Sequence, residues 1–137
     1  MAEIVEKSLM IALSISIILT LFSIVMPLLN LIIQTTYQMQ IQEVTYNVES
    51  GINDAVENPS NDFSRNGYSA VKIDIEAVNL GEVCSLYFTF RNYTISISVN
   101  TEVRINSSSI FGNYYLNFYY DNQLSLLEMN ITNIAER

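Results

Sequence analysis

From Leu9 to Ile33 the chain reads LMIALSISIILTLFSIVMPLLNLII, without a charge, and the uncharged run extends from Ser8 to Gln42. A helix of roughly 20 apolar residues spans a bilayer, so this stretch has length to spare. Its polar members are small (Ser14, Ser16, Thr20, Ser23) or a single amide (Asn30). A secretory signal would show a basic start, a shorter apolar core and a small-residue cleavage site. Here the start is MAEIVEKS and no A-x-A follows, so the expectation is an uncleaved anchor or a helix destined for a helical bundle. The hydroxyls and Asn30 either hydrogen-bond between packed helices or return to their own backbone. Asn30 tips the balance towards packed helices, because a plain anchor has no need of it.

Beyond Gln34 the chain turns polar but keeps a stripe at Tyr37, Ile41, Val44, Val48, Ile52 and Val56, with Ala55 beside the last. Steps of three and four are the spacing of one helix face. Asn58-Pro59 ends the pattern, since proline cannot continue a helix and restricts the residue before it. A helix from about Glu3 to Glu57 would be roughly 80 Å long at 1.5 Å per residue. Pro27 is expected to kink or loosen it, and Gly51 is a softer weak point. The amphipathic part, 34–57, is expected to pack on the domain that follows, and the apolar part, 9–33, on lipid or on copies of itself.

Residues 59–67 (PSNDFSRNG) read as a polar linker. The period then changes from helical to two. Val71, Ile73, Ile75 and Ala77 alternate with Lys72, Asp74 and Glu76, a half-buried strand. A turn follows at Asn79 to Glu82, then strands at Val83 to Phe90 and Thr94 to Val99. Val103 to Ile105 reads as a short piece continuing the previous strand through a bulge near Asn100. Tyr114 to Tyr120 is aromatic and strand-like, Asp121-Asn122 marks a hairpin turn, and Gln123 to Thr132 closes the domain. The expected class is α+β: a long N-terminal hydrophobic helix (1–58), a linker (59–67) and a small antiparallel, sandwich-like β domain (68–137).

Composition narrows the function. With 14 acidic residues against 6 basic, the net charge of −8 disfavours nucleic-acid binding. Histidine is absent, which removes the commonest general base and metal ligand. The single cysteine, Cys84, forms no internal disulfide and reads as a buried strand residue. No nucleophile elbow, phosphate loop or metal-ligand spacing occurs, and no cofactor is expected. Asp74 and Glu76 share a strand face, which reads as solvated surface. Roughly 80 residues after the helix leave little room for an enzyme's deep pocket, so the expected role is not enzymatic.

Orientation follows from Lys7 before the apolar run and the absence of Lys or Arg from Ser8 to Ser64. The positive-inside rule then places the N-terminus in the cytoplasm and the β domain outside. Three N-glycosylation acceptor sequences fall in that outer part, at Asn92, Asn106 and Asn130. Tyr114, Tyr115, Tyr119 and Tyr120 read either as core residues alternating with sheet cover or as an aromatic contact surface.

A short charged N-terminus, a long apolar helix with an amphipathic extension and a small β domain together resemble the archaeal type IV pilin and archaellin superfamily. The local part of the resemblance is Glu6-Lys7-Ser8-Leu9-Met10. Family members carry a charged residue, then Gly or Ala, then the apolar helix, and a prepilin peptidase cuts before that helix. Ser8 stands here where Gly or Ala is usual, and the corresponding cut would fall between Ser8 and Leu9. Bacterial pilins place a glutamate at the fifth mature position, where this chain would have Leu13. The resemblance implies a homopolymeric filament at the archaeal cell surface after a membrane-embedded stage, with the helices bundled inside. Leu9, Leu13, Ile17, Leu21, Ile24, Pro27 and Leu28 would carry that packing. It implies alternatively an anchored external binding protein that meets the surface layer or archaellum components.

Overall fold

In the computed structural model, which describes residues 1–134, a single helix, α1 (Ala2–Glu57), is followed by six strands. These are β1 (Asp62–Leu80), β2 (Val83–Phe90), β3 (Tyr93–Val99), β4 (Glu102–Ile105), β5 (Ser109–Asp121) and β6 (Leu126–Ile134). The α+β layout expected from the sequence is therefore present. The chain divides into two compact units, Met1–Thr36 and Tyr37–Arg137.

In the second unit all six strands join one sheet in the order β3-β2-β1-β5-β6-β4. Neighbours are antiparallel except β4 and β6, which run parallel, so the sheet is mixed rather than wholly antiparallel. β4 is thus not a continuation of β3. It lies at the opposite edge, because its Val103 and Ile105 find their apolar neighbours beside Leu127 and Met129 of β6. Thr101 secures the crossing, donating its hydroxyl to the Ser125 carbonyl at 2.9 Å.

The layer against the sheet is the later part of α1. Ile41, Val44, Val48, Ile52 and Ala55 are buried in one cluster with Ile73, Ile75, Leu86, Phe88, Leu116, Phe118, Leu127 and Met129. Val56, expected on this stripe, is instead 39% exposed. Steps of four residues advance about 40° beyond a full turn each time, so Val56 lies about 120° round the helix from Val44. Gly51 and Ala55, each about 20° from Val44, hold the stripe on line, and both are buried. Gly51 is therefore no weak point. The Phe118 ring lies over it so closely that an added Cβ would stand 2.2 Å from Phe118 Cε2.

Residues 62–67, expected as linker, belong to β1. They pair with Tyr114 to Tyr119 of β5, and the Tyr114 ring closes over Gly67. Pairing with a long aromatic strand outweighs their polarity, which is the reason the linker reading fails. Further along β1 the register slips between Ser69 and Ile73. There the Ser69 hydroxyl donates to the Val71 carbonyl at 2.7 Å, and the Ala70 amide donates to Gln40 Oε1 of α1 at 3.0 Å. Arg65 of β1 pairs with Asp54 of α1 and donates to the Ser50 hydroxyl at 3.2 Å.

α1 ends as expected at Glu57. The Asn58 amide and side chain both donate to the Asp54 carbonyl, and Ser60, at φ 68°, turns the chain so that its amide reaches the Tyr120 carbonyl. Pro27 lies inside α1 and does not divide it.

Candidate functional site

The feature without an internal explanation is the apolar segment. Every large apolar side chain from Leu9 to Ile33 is 45–64% exposed. Leu9, Leu13, Ile17, Leu21, Ile24, Pro27 and Leu28 all lie on one arc of about 120°, given 100° per residue. The other large apolar residues continue round most of the circumference, leaving one narrow stripe of about 40° with Ser16, Ser23 and Asn30, so the segment needs an apolar environment on nearly every side. Ser8 and Leu9 both lie within α1, with the Lys7 ammonium 2.9 Å from Glu3 one turn earlier.

Ser14, Thr20 and Ser23 donate their hydroxyls to the carbonyls of Met10, Ser16 and Thr20 at 2.7–2.9 Å. Thr35 and Thr36 do the same to Leu31 and Ile32. Such back-bonding satisfies a hydroxyl in an apolar medium without a neighbouring helix. No such bond ties Asn30, whose amide is exposed.

The sheet unit resolves the remaining candidates. Cys84 is buried, and burial pushes its thiol up from 9.0. Tyr114 is buried and its hydroxyl accepts a hydrogen bond from Asn47 Nδ2 at 2.8 Å, while Tyr115 is 41% exposed and Tyr119 and Tyr120 are half-buried. The tyrosine run therefore divides between core and cover, and burial pushes the Tyr114 phenol up from 10.0. Asp74 and Glu76 are exposed on β1, an interior strand of the sheet. Among the described residues no three His, Cys, Asp or Glu side chains gather as a metal site would require.

The three glycosylation acceptors differ in setting. Asn92 is exposed in the two-residue turn between β2 and β3. Asn106 is engaged at both ends of its amide, accepting from the Ile131 amide at 2.6 Å and donating to the Ile131 carbonyl at 3.2 Å. Asn130 is exposed in mid-strand on β6, opposite Asn117.

Sequence reasoning gave no warning of the asparagines that stand in for backbone. Asn79 of β1 exchanges two hydrogen bonds, both 3.0 Å, with the main chain of Val103 in β4. Asn133 accepts from the Phe111 amide and donates to the Ser109 carbonyl. The turn-forming habit of asparagine was the signal available, and it did not say which strand each side chain would reach.

Fold and surface together define an α+β protein with one N-terminal helix long and apolar enough to cross a membrane. No family model, no curated protein and no solved structure matches the chain.

Proposed function

We propose that the chain is a structural subunit of an archaeal type IV pilus-like surface filament, polymerising through α1. The observation that carries this reading is one helix with two surfaces: exposed and apolar round most of its circumference from Leu9 to Ile33, one-sided from Ile41 to Ala55. The one-sided part is spent on the sheet unit's own core, and the large side chains of the apolar part stay exposed among the described residues. In a membrane, lipid covers it. In a filament, equivalent helices of other copies replace lipid at little cost, because the two surroundings are equally apolar. Asn30 supports a helical neighbour, since an amide in an apolar medium gains from a hydrogen-bond partner. In this reading the protein passes through a membrane-embedded stage with its N-terminus in the cytoplasm, and Ser8–Leu9 is the bond a prepilin peptidase would cut. The chemistry is assembly, not catalysis.

The test is Leu13→Lys or Ile17→Lys, with electron microscopy of material sheared from the surface of cells expressing each variant. A charge at a helix centre in an apolar medium costs about 2.5–3.5 kcal/mol per subunit, enough to suppress a polymer built on that contact. Filaments should vanish while the Tyr37–Arg137 unit remains folded. Normal filaments containing the variant as major component would refute the proposal.

A second reading, a membrane-anchored external binding protein, is favoured by the sheet unit's own buried core, in which α1 residues Ile41 to Ala55 pack with the strands of the same chain. It predicts that the wild-type chain stays in the membrane fraction while filaments lack it.

A further inference from the structure

The two edges of the sheet are finished differently. β4 is four residues long, carries Glu102 and Arg104, and has its outward backbone occupied at Val103 by the Asn79 side chain. Short length, charge and a covering group are the usual means of closing an edge against further pairing. β3 has none of them. Tyr93–Val99 is seven residues of YTISISV without charge, proline, glycine or bulge. Its pairing with β2 ends at Phe90 and Tyr93 across a two-residue turn, so that pair exchanges both main-chain hydrogen bonds. Alternation then directs the N–H and C=O groups of Thr94, Ser96 and Ser98 away from the sheet.

Beside this edge runs a groove of about 290 Å³ between β3 and α1. Ile97 and Val99 line one side, Ile52 and Val56 the other, with Glu49 and Glu57 at its margins and no basic side chain along it. Ile97 and Val99 stay half-buried, and Val56 exposed, because no seventh strand covers them.

We infer that the β3 edge is a docking site for an extended peptide segment that adds to the sheet as a seventh strand and carries apolar and basic residues on its inward face. The backbone supplies the pairing through Thr94, Ser96 and Ser98, as in other cases of strand addition. The groove supplies the selectivity. Glu49 and Glu57 are eight residues apart on α1, about 12 Å of helix rise. Inward side chains of a strand recur about every 6.7 Å, so residues four apart span about 13 Å. A Lys or Arg at each of those two positions reaches one glutamate, its alkyl stem lying over Ile52 or Val56, and an apolar residue midway covers Ile97 and Val99. The motif is basic-x-apolar-x-basic. The inference stands independently of whether α1 assembles or only anchors.

The test uses the full chain in detergent micelles and the capped heptapeptide Thr-Lys-Thr-Val-Thr-Lys-Thr, read by amide hydrogen exchange. Thr94, Ser96 and Ser98 should gain at least tenfold protection, saturating at about 1 mM peptide or below. The counterpart with glutamate in place of lysine should give none. Glu49→Gln with Glu57→Gln should weaken binding roughly two- to thirtyfold, the range for two exposed ion pairs. Ser96→Pro removes an outward N–H that makes no ladder bond, so it should abolish peptide protection while the β1 and β5 amides exchange as before. No protection by the lysine peptide, or equal protection by the glutamate peptide, overturns the inference. So does protection of β3 that rises with protein concentration alone, which would give the edge to a second copy of the chain.

Discussion

Replacing Gly51 with alanine sets helix propensity against packing. In an exposed helix the change stabilises by about 1 kcal/mol, because glycine loses more backbone entropy on folding. At Gly51 the new methyl would stand 2.2–2.6 Å from three atoms of the Phe118 ring. The ring is fully buried, so it cannot swing into solvent and must displace its neighbours in a close-packed interior. Overpacking of this kind costs about 1–3 kcal/mol, and contacts this short belong at the upper end. The net expectation is a loss of about 2 kcal/mol, or a melting temperature lower by roughly 8–16 °C for a unit of this size. Thermal unfolding of the full chain in detergent, followed by near-ultraviolet tyrosine dichroism, reads the sheet unit directly. Phe118→Leu shortens the ring into the space the methyl needs, so the double variant should recover at least 1 kcal/mol relative to the sum of the singles. A Gly51→Ala protein as stable as wild type, or additive losses in the double variant, would refute the account of how α1 seats on the sheet.

Two further outcomes follow from the buried groups. Burial raises both the Cys84 thiol and the Tyr114 phenol above their ordinary 9.0 and 10.0, so the unfolded chain ionises before the folded one, and stability is full below these values and lost as pH rises through them. The urea midpoint of the sheet unit should fall from about pH 9 upward, and Cys84→Ala should move the onset towards 10; a flat midpoint across that range would contradict the burial. If the domain is glycosylated, mass spectrometry of its glycopeptides should find Asn92 occupied and Asn106 bare, because the Asn106 Nδ2 that would carry the sugar is engaged with the Ile131 carbonyl; an occupied Asn106 would count against the closed geometry there.

What could be read from the sequence was what depends on neighbours along the chain. α1 declared itself by an apolar run followed by a one-sided stripe, and β2 by alternation, with bounds of Val83–Phe90 in both sequence and structure. Cys84 was legible because a lone thiol on the same strand face as Leu86 and Phe88 has one common fate. The rest turned on distant partners. Residues 62–67 are polar and carry Gly67, so they read as linker, yet their conformation is set by Tyr114 to Tyr119 some fifty residues on. β4 carries no mark in its own sequence that it crosses the sheet to lie parallel to β6. Val56 misled for a smaller reason, the drift that accumulates when residues four apart are followed over three steps.

The candidate surfaces divide along the same line. That Leu9 to Ile33 seeks an apolar environment is written in composition, and the fold adds that its large side chains stay exposed among the described residues. That the far edge of the sheet is closed depends on where β4 goes. Had β4 extended β3, as its position in the sequence suggests, β3 would still be an edge, β6 would be a second bare one, and the Asn79 side chain would have no use at Val103. The crossing of β4 finishes the far edge and leaves β3 as the unfinished one. An edge strand this uncharged invites indiscriminate pairing unless something limits access to it. Here Glu49 and Glu57 stand beside it, so acidic segments meet repulsion while basic ones do not. Selectivity at β3 would then come from the helix next to the strand rather than from the strand itself.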